Sequence, residues 1–170
     1  DLDLFGRVQS IIESDVAEAQ ASLDAYENLM LLMQAQVASL YFTIRQYSSE
    51  LELLDRTVEV RKEQTQYVSR RLKYGEANDV DMQRAFQEEY EASAQKAAVE
   101  RQMAIARNNI AILVGVVPSQ LDLKPAPLPE KLPRLPAAIP SQLLERRPDI
   151  AQAERKVYAA NARIGAAHAA

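Results

Sequence analysis

The sequence predicts an all-α fold: a long antiparallel coiled-coil helical hairpin, then a proline-rich connector, then a further helix. Three observations predict it. Apolar residues recur at heptad spacing along the first third of the chain. No proline or glycine lies between Arg7 and Tyr74, or between Glu76 and Val114. All eight prolines fall between Pro118 and Pro148.

The first helix follows from its period. Val16, Leu23, Met30, Val37, Ile44, Leu51 and Val58 recur every seven residues, and Ala19, Tyr26, Met33, Leu40, Tyr47 and Leu54 follow three positions behind them. This 3,4 alternation is the a/d seam of a coiled coil, kept for about six heptads. Phe5, Val8 and Ile12 extend the stripe toward the start. Val68 and Leu72 continue it after an interruption at Arg61 and Thr65. A helix from Leu4 to Tyr74 would be ~105 Å long at 1.5 Å per residue. An average globular helix has about 11–12 residues.

The turn is marked by charge and by glycine. Arg70, Arg71 and Lys73 stand in the last helical turn, where positive charge complements the dipole. Gly75 suits the left-handed residue that ends a helix. Asn78 or Asp79 can cap the next helix, and Asp79 and Asp81 suit its positive end. So short a link returns the second helix antiparallel to the first.

The second helix is expected over Asp79–Val114. It is rich in alanine, with Met82, Phe86 and Tyr90 marking one face near the turn. Ile105, Ile110, Ile112, Leu113 and Val114 make its far end apolar and so point to burial there. It is half as long as its partner. The rest of the first helix then needs cover, either from the connector folding back or from other chains.

Residues 116–140 form the connector, which reads as extended, partly polyproline II and semi-rigid. Ser141–Arg146 is expected as a short helix. Pro148 fits the first position of another helix, with Asp149 in its first turn. Ile150, Ala153, Val157, Ala160, Ile164 and Ala167 keep the 3,4 spacing. The expected organisation is a hairpin over 1–115 with its tip near 74–81, the connector over 116–140, and a short helix plus the start of a further helix over 141–170. The chain opens on Asp1 without a methionine and stops within a helical pattern, so it is read as a piece of a larger protein.

Composition narrows the function. The chain is 48% hydrophobic and 26% charged, which argues against disorder. A net charge of −4 argues against nucleic acid as partner. Cysteine is absent, which removes disulfides, thiolate metal sites and cysteine nucleophiles. No apolar run approaches the ~20 residues of a spanning helix.

No catalytic, cofactor or metal site is expected. His168 is the sole histidine and reads as an ordinary helix position. Zinc needs three or four ligands, and no such set can be assembled. Glu88, Glu89 and Glu91 read as a solvated helix face rather than an acid–base pair. Ser48 and Ser49 lack a base at a suggestive spacing. No glycine-rich phosphate loop exists. Met30, Met33, Tyr26, Tyr41 and Tyr47 suit packing better than a soft ligand surface. The basic group Arg70–Lys73 can bind an acidic partner, or simply compensate the dipole.

One long stretch carries a resemblance. Leu135-Pro136, then Ile139-Pro140-Ser141-Gln142-Leu143-Leu144-Glu145-Arg146-Arg147-Pro148-Asp149-Ile150, Glu154, and Ala159-Ala160-Asn161-Ala162-Arg163-Ile164-Gly165-Ala166-Ala167 resembles the signature linking the two halves of outer-membrane efflux factors. These are the TolC-type channels, here of the NodT-type lipoprotein branch. Asp1-Leu2-Asp3-Leu4-Phe5-Gly6-Arg7-Val8 resembles the family segment where a barrel strand enters a periplasmic helix. Tyr74-Gly75 followed by Asp81-Met82 is similar to the family's helix tip. Residue 168, usually arginine in this stretch, is His168.

The resemblance implies a trimeric β-barrel in the outer membrane continued by a periplasmic helical tunnel. The chain would be a tunnel segment, a passive exit duct fed by an inner-membrane pump through a periplasmic adaptor. Its β-strands, signal peptide and lipid anchor would lie outside the chain. Gly75, Asp79 and Asp81 would belong to the tip or gate, and Arg71 and Lys73 would be adaptor contacts. Pro140, Leu144, Arg147, Pro148, Asp149, Asn161 and Gly165 would be the signature positions. The rival readings are the hairpin of an adaptor protein and a coiled-coil scaffold. Adaptors flank their hairpins with glycine- and valine-rich strands, and a membrane-bending scaffold needs a basic face; neither pattern is present.

Overall fold

The computed structural model describes residues 6–124, 126–128 and 140–169. The opening residues 1–5, Phe5 of the stripe among them, and residues 129–139 of the connector and signature lie outside the described residues. The described elements are α1 (Arg7–Lys73), α2 (Asp79–Val114), a 3-10 turn (Pro118–Gln120), α3 (Pro140–Glu145) and α4 (Pro148–His168). Among the described residues all regular structure is helical.

Both long helices end as their glycines dictate. Gly75 adopts φ +73°, where a side chain would be strained. Its amide bonds to the Leu72 carbonyl at 3.1 Å, and the Glu76 amide bonds to the Arg71 carbonyl at 2.9 Å. This crossed pair is the Schellman motif, which satisfies carbonyls the helix leaves free. α2 ends the same way at Gly115, with the Val116 amide on the Ala111 carbonyl at 2.9 Å.

The chain divides into two compact units, and α1 contributes to both. One comprises residues 36–132, the other residues 1–35 with 133–170.

In the unit of residues 36–132, α2 runs antiparallel to α1. Lys96 Nζ lies 2.6 Å from Asp55, and the hydrogen bond and charge of that carboxylate raise the Lys96 pKa. Nearer the turn, Arg61 Nη1 lies 2.6 Å from Glu88. The buried Thr65 hydroxyl faces its own-helix carbonyl, Arg61 O, at 3.0 Å and the α2 carbonyl of Ala85 at 3.2 Å. The interruption of the heptad seam is therefore a polar layer across the hairpin, and Glu88 is an ion-pair partner rather than only part of a solvated face. At the far end Ile44, Ala106 and Ile110 form a buried cluster. Leu40, Tyr41, Met103, Leu121 and Leu123 pack around it. The start of the connector thus packs on α1 where α2 already covers it, and not on the stretch that α2 leaves bare. The apolar end of α2 is buried only in part: Ile110 and Ala111 are inside, while Ile112 is 73% exposed.

In the other unit, α4 lies antiparallel to α1 on an unexpected face. Ser14, Ala17 and Ala21 of α1 are buried, as is Ala159 of α4. The seam residues Val16, Leu23 and Tyr26 are 50%, 59% and 59% exposed. The buried set sits two positions behind the seam, about 200° around the helix at 3.6 residues per turn. The reason is steric. α4 presents alanine and glycine, which allow close backbone approach only to small partners, and the large seam side chains would hold the helices apart. Arg163 pairs with Glu18 at the edge of this contact.

Candidate functional site

The hairpin turn gathers Arg71, Lys73, Gly75, Asp79 and Asp81 into one short stretch. Arg71, though exposed, is engaged by the turn itself. Its Nη2 donates to the Glu76 carbonyl at 2.9 Å, its Nε lies 3.7 Å from the Glu76 carboxylate, and its guanidinium carbon sits 5.8 Å from the centre of the Tyr67 ring. This arginine stiffens the turn. Lys73 is likewise exposed, in the last turn of α1 beside Tyr74, which is 82% exposed.

Asp81 has a structural task. The Asn78 side chain accepts the Asp81 amide at 2.9 Å, and the Asp81 carboxylate accepts the Asn78 amide at 3.2 Å. This reciprocal pair is a capping box. The spacing Asn78-x-x-Asp81 carried the signal, with a shorter acid than the usual Glu or Gln at the third position. Asp79 is exposed in the first turn, where its charge complements the helix dipole.

The signature residues lie in the other compact unit. Arg147 grips Asp149 through two bonds, Nε to Oδ1 at 3.0 Å and Nη2 to Oδ2 at 2.6 Å. Pro148, at the first position of α4, lies between them. The hydrogen bonds and charge of Arg147 hold the Asp149 carboxyl below its ordinary range, and the Ile150 amide adds a bond at 3.0 Å. The hydrogen bonds to Asp149, with its charge, correspondingly raise the Arg147 pKa. The Leu144 carbonyl accepts the Arg147 amide at 3.1 Å, joining the short α3, which Pro140 opens, to α4. Asn161 is exposed on α4.

Gly165 has a reason in packing. A Cβ at this position would lie 3.2 Å from Ser10 Oγ on α1. The signature glycine thus keeps two helices close. His168 is exposed in the last turn of α4, and the described residues contain no group of three acidic, histidine or cysteine side chains placed to hold a metal.

The arrangement supports mechanical roles: capped helix ends, a stiffened turn and close helix contacts. Comparison with known proteins gives it context. Residues 1–116 match the outer membrane efflux protein family. The whole chain aligns at 34% identity with 35% of the probable efflux pump outer membrane protein TtgC of Pseudomonas putida. It aligns at 30% identity with 37% of the cation efflux system protein CusC of Escherichia coli. Ninety-nine per cent of the chain superposes on 38% of the outer-membrane channel OprN, with a TM-score of 0.91 and 32% identity. The chain thus spans about a third of the length of these relatives. With the family matched over most of the chain and the fold shared with a channel of that class, this protein belongs to the outer membrane efflux protein family.

Proposed function

We propose that this chain is a periplasmic tunnel segment of an outer-membrane efflux channel, a passive exit duct and not an enzyme. The match of residues 1–116 to the efflux family carries the reading. Substrate would arrive from an inner-membrane pump through a periplasmic adaptor, and the full-length protein would assemble as a homotrimer anchored by its own β-strands. A lipid anchor would lie outside the chain. Relatives named as efflux pump outer membrane proteins support the pump partner. The open apolar seam of α1, with Val16, Leu23, Tyr26 and Met30 all at least 39% exposed, suits a tunnel wall closed by further helices. No described helix is long and apolar enough to cross a membrane, which fits a segment lying outside the bilayer.

The turn at Gly75 is the proposed entrance, with Asp79 and Asp81 as gate residues and Lys73 as the main adaptor contact. Arg71 serves this site by stiffening the turn. Helix ends held by a few polar contacts can dilate when those contacts are exchanged for others. The capping box complicates the obvious substitution, because Asp81→Ala removes cap and charge together. Asp81→Asn keeps an oxygen acceptor for the Asn78 amide and removes only the charge. The full-length channel carrying Asp81→Asn should show raised conductance and antibiotic entry. Unchanged conductance and entry in both variants would remove Asp81 from the gate.

A further inference from the structure

The start of the connector follows a fixed track along α1. Leu121 and Leu123 lie against the Ile44, Ala106 and Ile110 cluster. Immediately beyond, Arg45 Nη1 donates to the Lys124 carbonyl at 2.8 Å and to the Ala126 carbonyl at 3.5 Å. Its Nη2 donates to the Tyr41 hydroxyl at 2.9 Å, and the guanidinium carbon stands 4.7 Å from the centre of the Tyr41 ring. One turn further, Ser49 Oγ accepts the Leu128 amide at 3.4 Å. Tyr41, Arg45 and Ser49 are spaced by four, so they share one face of the helix.

The chemistry suits the segment. Proline has no amide hydrogen, so a proline-rich strand is best held through its carbonyls. Arginine supplies donors only, in a planar fork. One branch can span two carbonyls while the other is fixed by Tyr41. Lysine, a point charge without the fork, could not do both. Arg45 is half-buried, with its donors aimed at main chain and tyrosine.

We propose that Arg45 is a latch. Oriented by Tyr41 and aided by Ser49, it holds residues 121–124 and 126–128 as a strap across the base of the hairpin. The strap in turn shields the Ile44, Ala106 and Ile110 cluster from water. The connector begins as a fixed brace, with Arg45 as its main polar fastening.

Hydrogen exchange followed by mass spectrometry on the full-length protein tests this, comparing the parent with Arg45→Gln, Arg45→Lys and Ser49→Ala. Arg45→Gln should speed exchange across 121–128 by roughly 5- to 30-fold, the scale of one or two ordinary hydrogen bonds lost at a half-buried site. Amides around Thr65 and Ala85 should hold their parent rates. Ser49→Ala should affect the Leu128 amide alone. Should Arg45→Gln fail to fold, Arg45→Lys reads the same contact, since it keeps the charge and loses the fork. Unchanged exchange in the strap overturns the latch. So does equal acceleration along the whole hairpin, which would make Arg45 a general stabiliser.

Discussion

Gly165 offers the sharpest test of the helix contact it serves. Replacing it with alanine has two opposed effects. Helix propensity favours alanine over glycine by about 1 kcal/mol in a helix interior. Against this, the new Cβ would stand 3.2 Å from Ser10 Oγ, so one of the two must give by a few tenths of an ångström. With Ser10→Ala that obstacle goes, and the nearest remaining atom, the residue 10 Cβ, lies at an ordinary 3.8 Å. Gly165→Ala should therefore change the stability of α4 by less than about 1 kcal/mol alone, but gain close to the full ~1 kcal/mol in the Ser10→Ala background. Gly165→Val adds branching that the interface cannot take, costing about 1–3 kcal/mol from overpacking. Local opening energies from hydrogen exchange of α4 in the full-length protein give all these values. Two results would refute the reasoning: a valine variant with parent-like exchange, or an alanine effect that ignores the Ser10 hydroxyl.

Further outcomes follow from the caps, the core and the signature pair. Asn78→Ala removes half of the capping box and should cost about 1 kcal/mol, read as faster exchange in the first turn of α2. Ile44→Ala empties a site that is 3% exposed and should cost about 2–4 kcal/mol, seen as lost protection near Ala106 and under the strap. Asp149 binds its proton less readily when folded than when unfolded, because Arg147 holds its pKa down. Its contribution is thus fully present above the unfolded value, about 3.9, and is lost as pH falls through the lower folded value. The first turn of α4 should stay ordered at neutral pH and fray only in strong acid, and Asp149→Asn should abolish that dependence in a pH series of exchange measurements.

The sequence by itself determined the helices and where they stop. Breakers are local: Gly75 and Gly115 end α1 and α2 because a left-handed residue there needs no partner from elsewhere in the chain. The α2 boundaries at Asp79 and Val114 were legible for the same reason. So was the turn as a candidate site, through its charges and the resemblance. Contacts between distant residues were not legible. The heptad pattern identified an apolar stripe but not its occupant. Along Val37–Val58 the stripe turns toward the hairpin partner and the connector, whereas around Val16–Tyr26 the opposite, small-residue face is buried. Periodicity reports that a face is apolar, while the partner's side-chain size decides which face can approach. Arg61 and Thr65 looked like flaws in the stripe until Glu88 and the Ala85 carbonyl met them across the hairpin. Arg45 carried no signal at all, because its acceptors are main-chain carbonyls about 80 residues away, and a carbonyl is the one group that every residue type supplies alike.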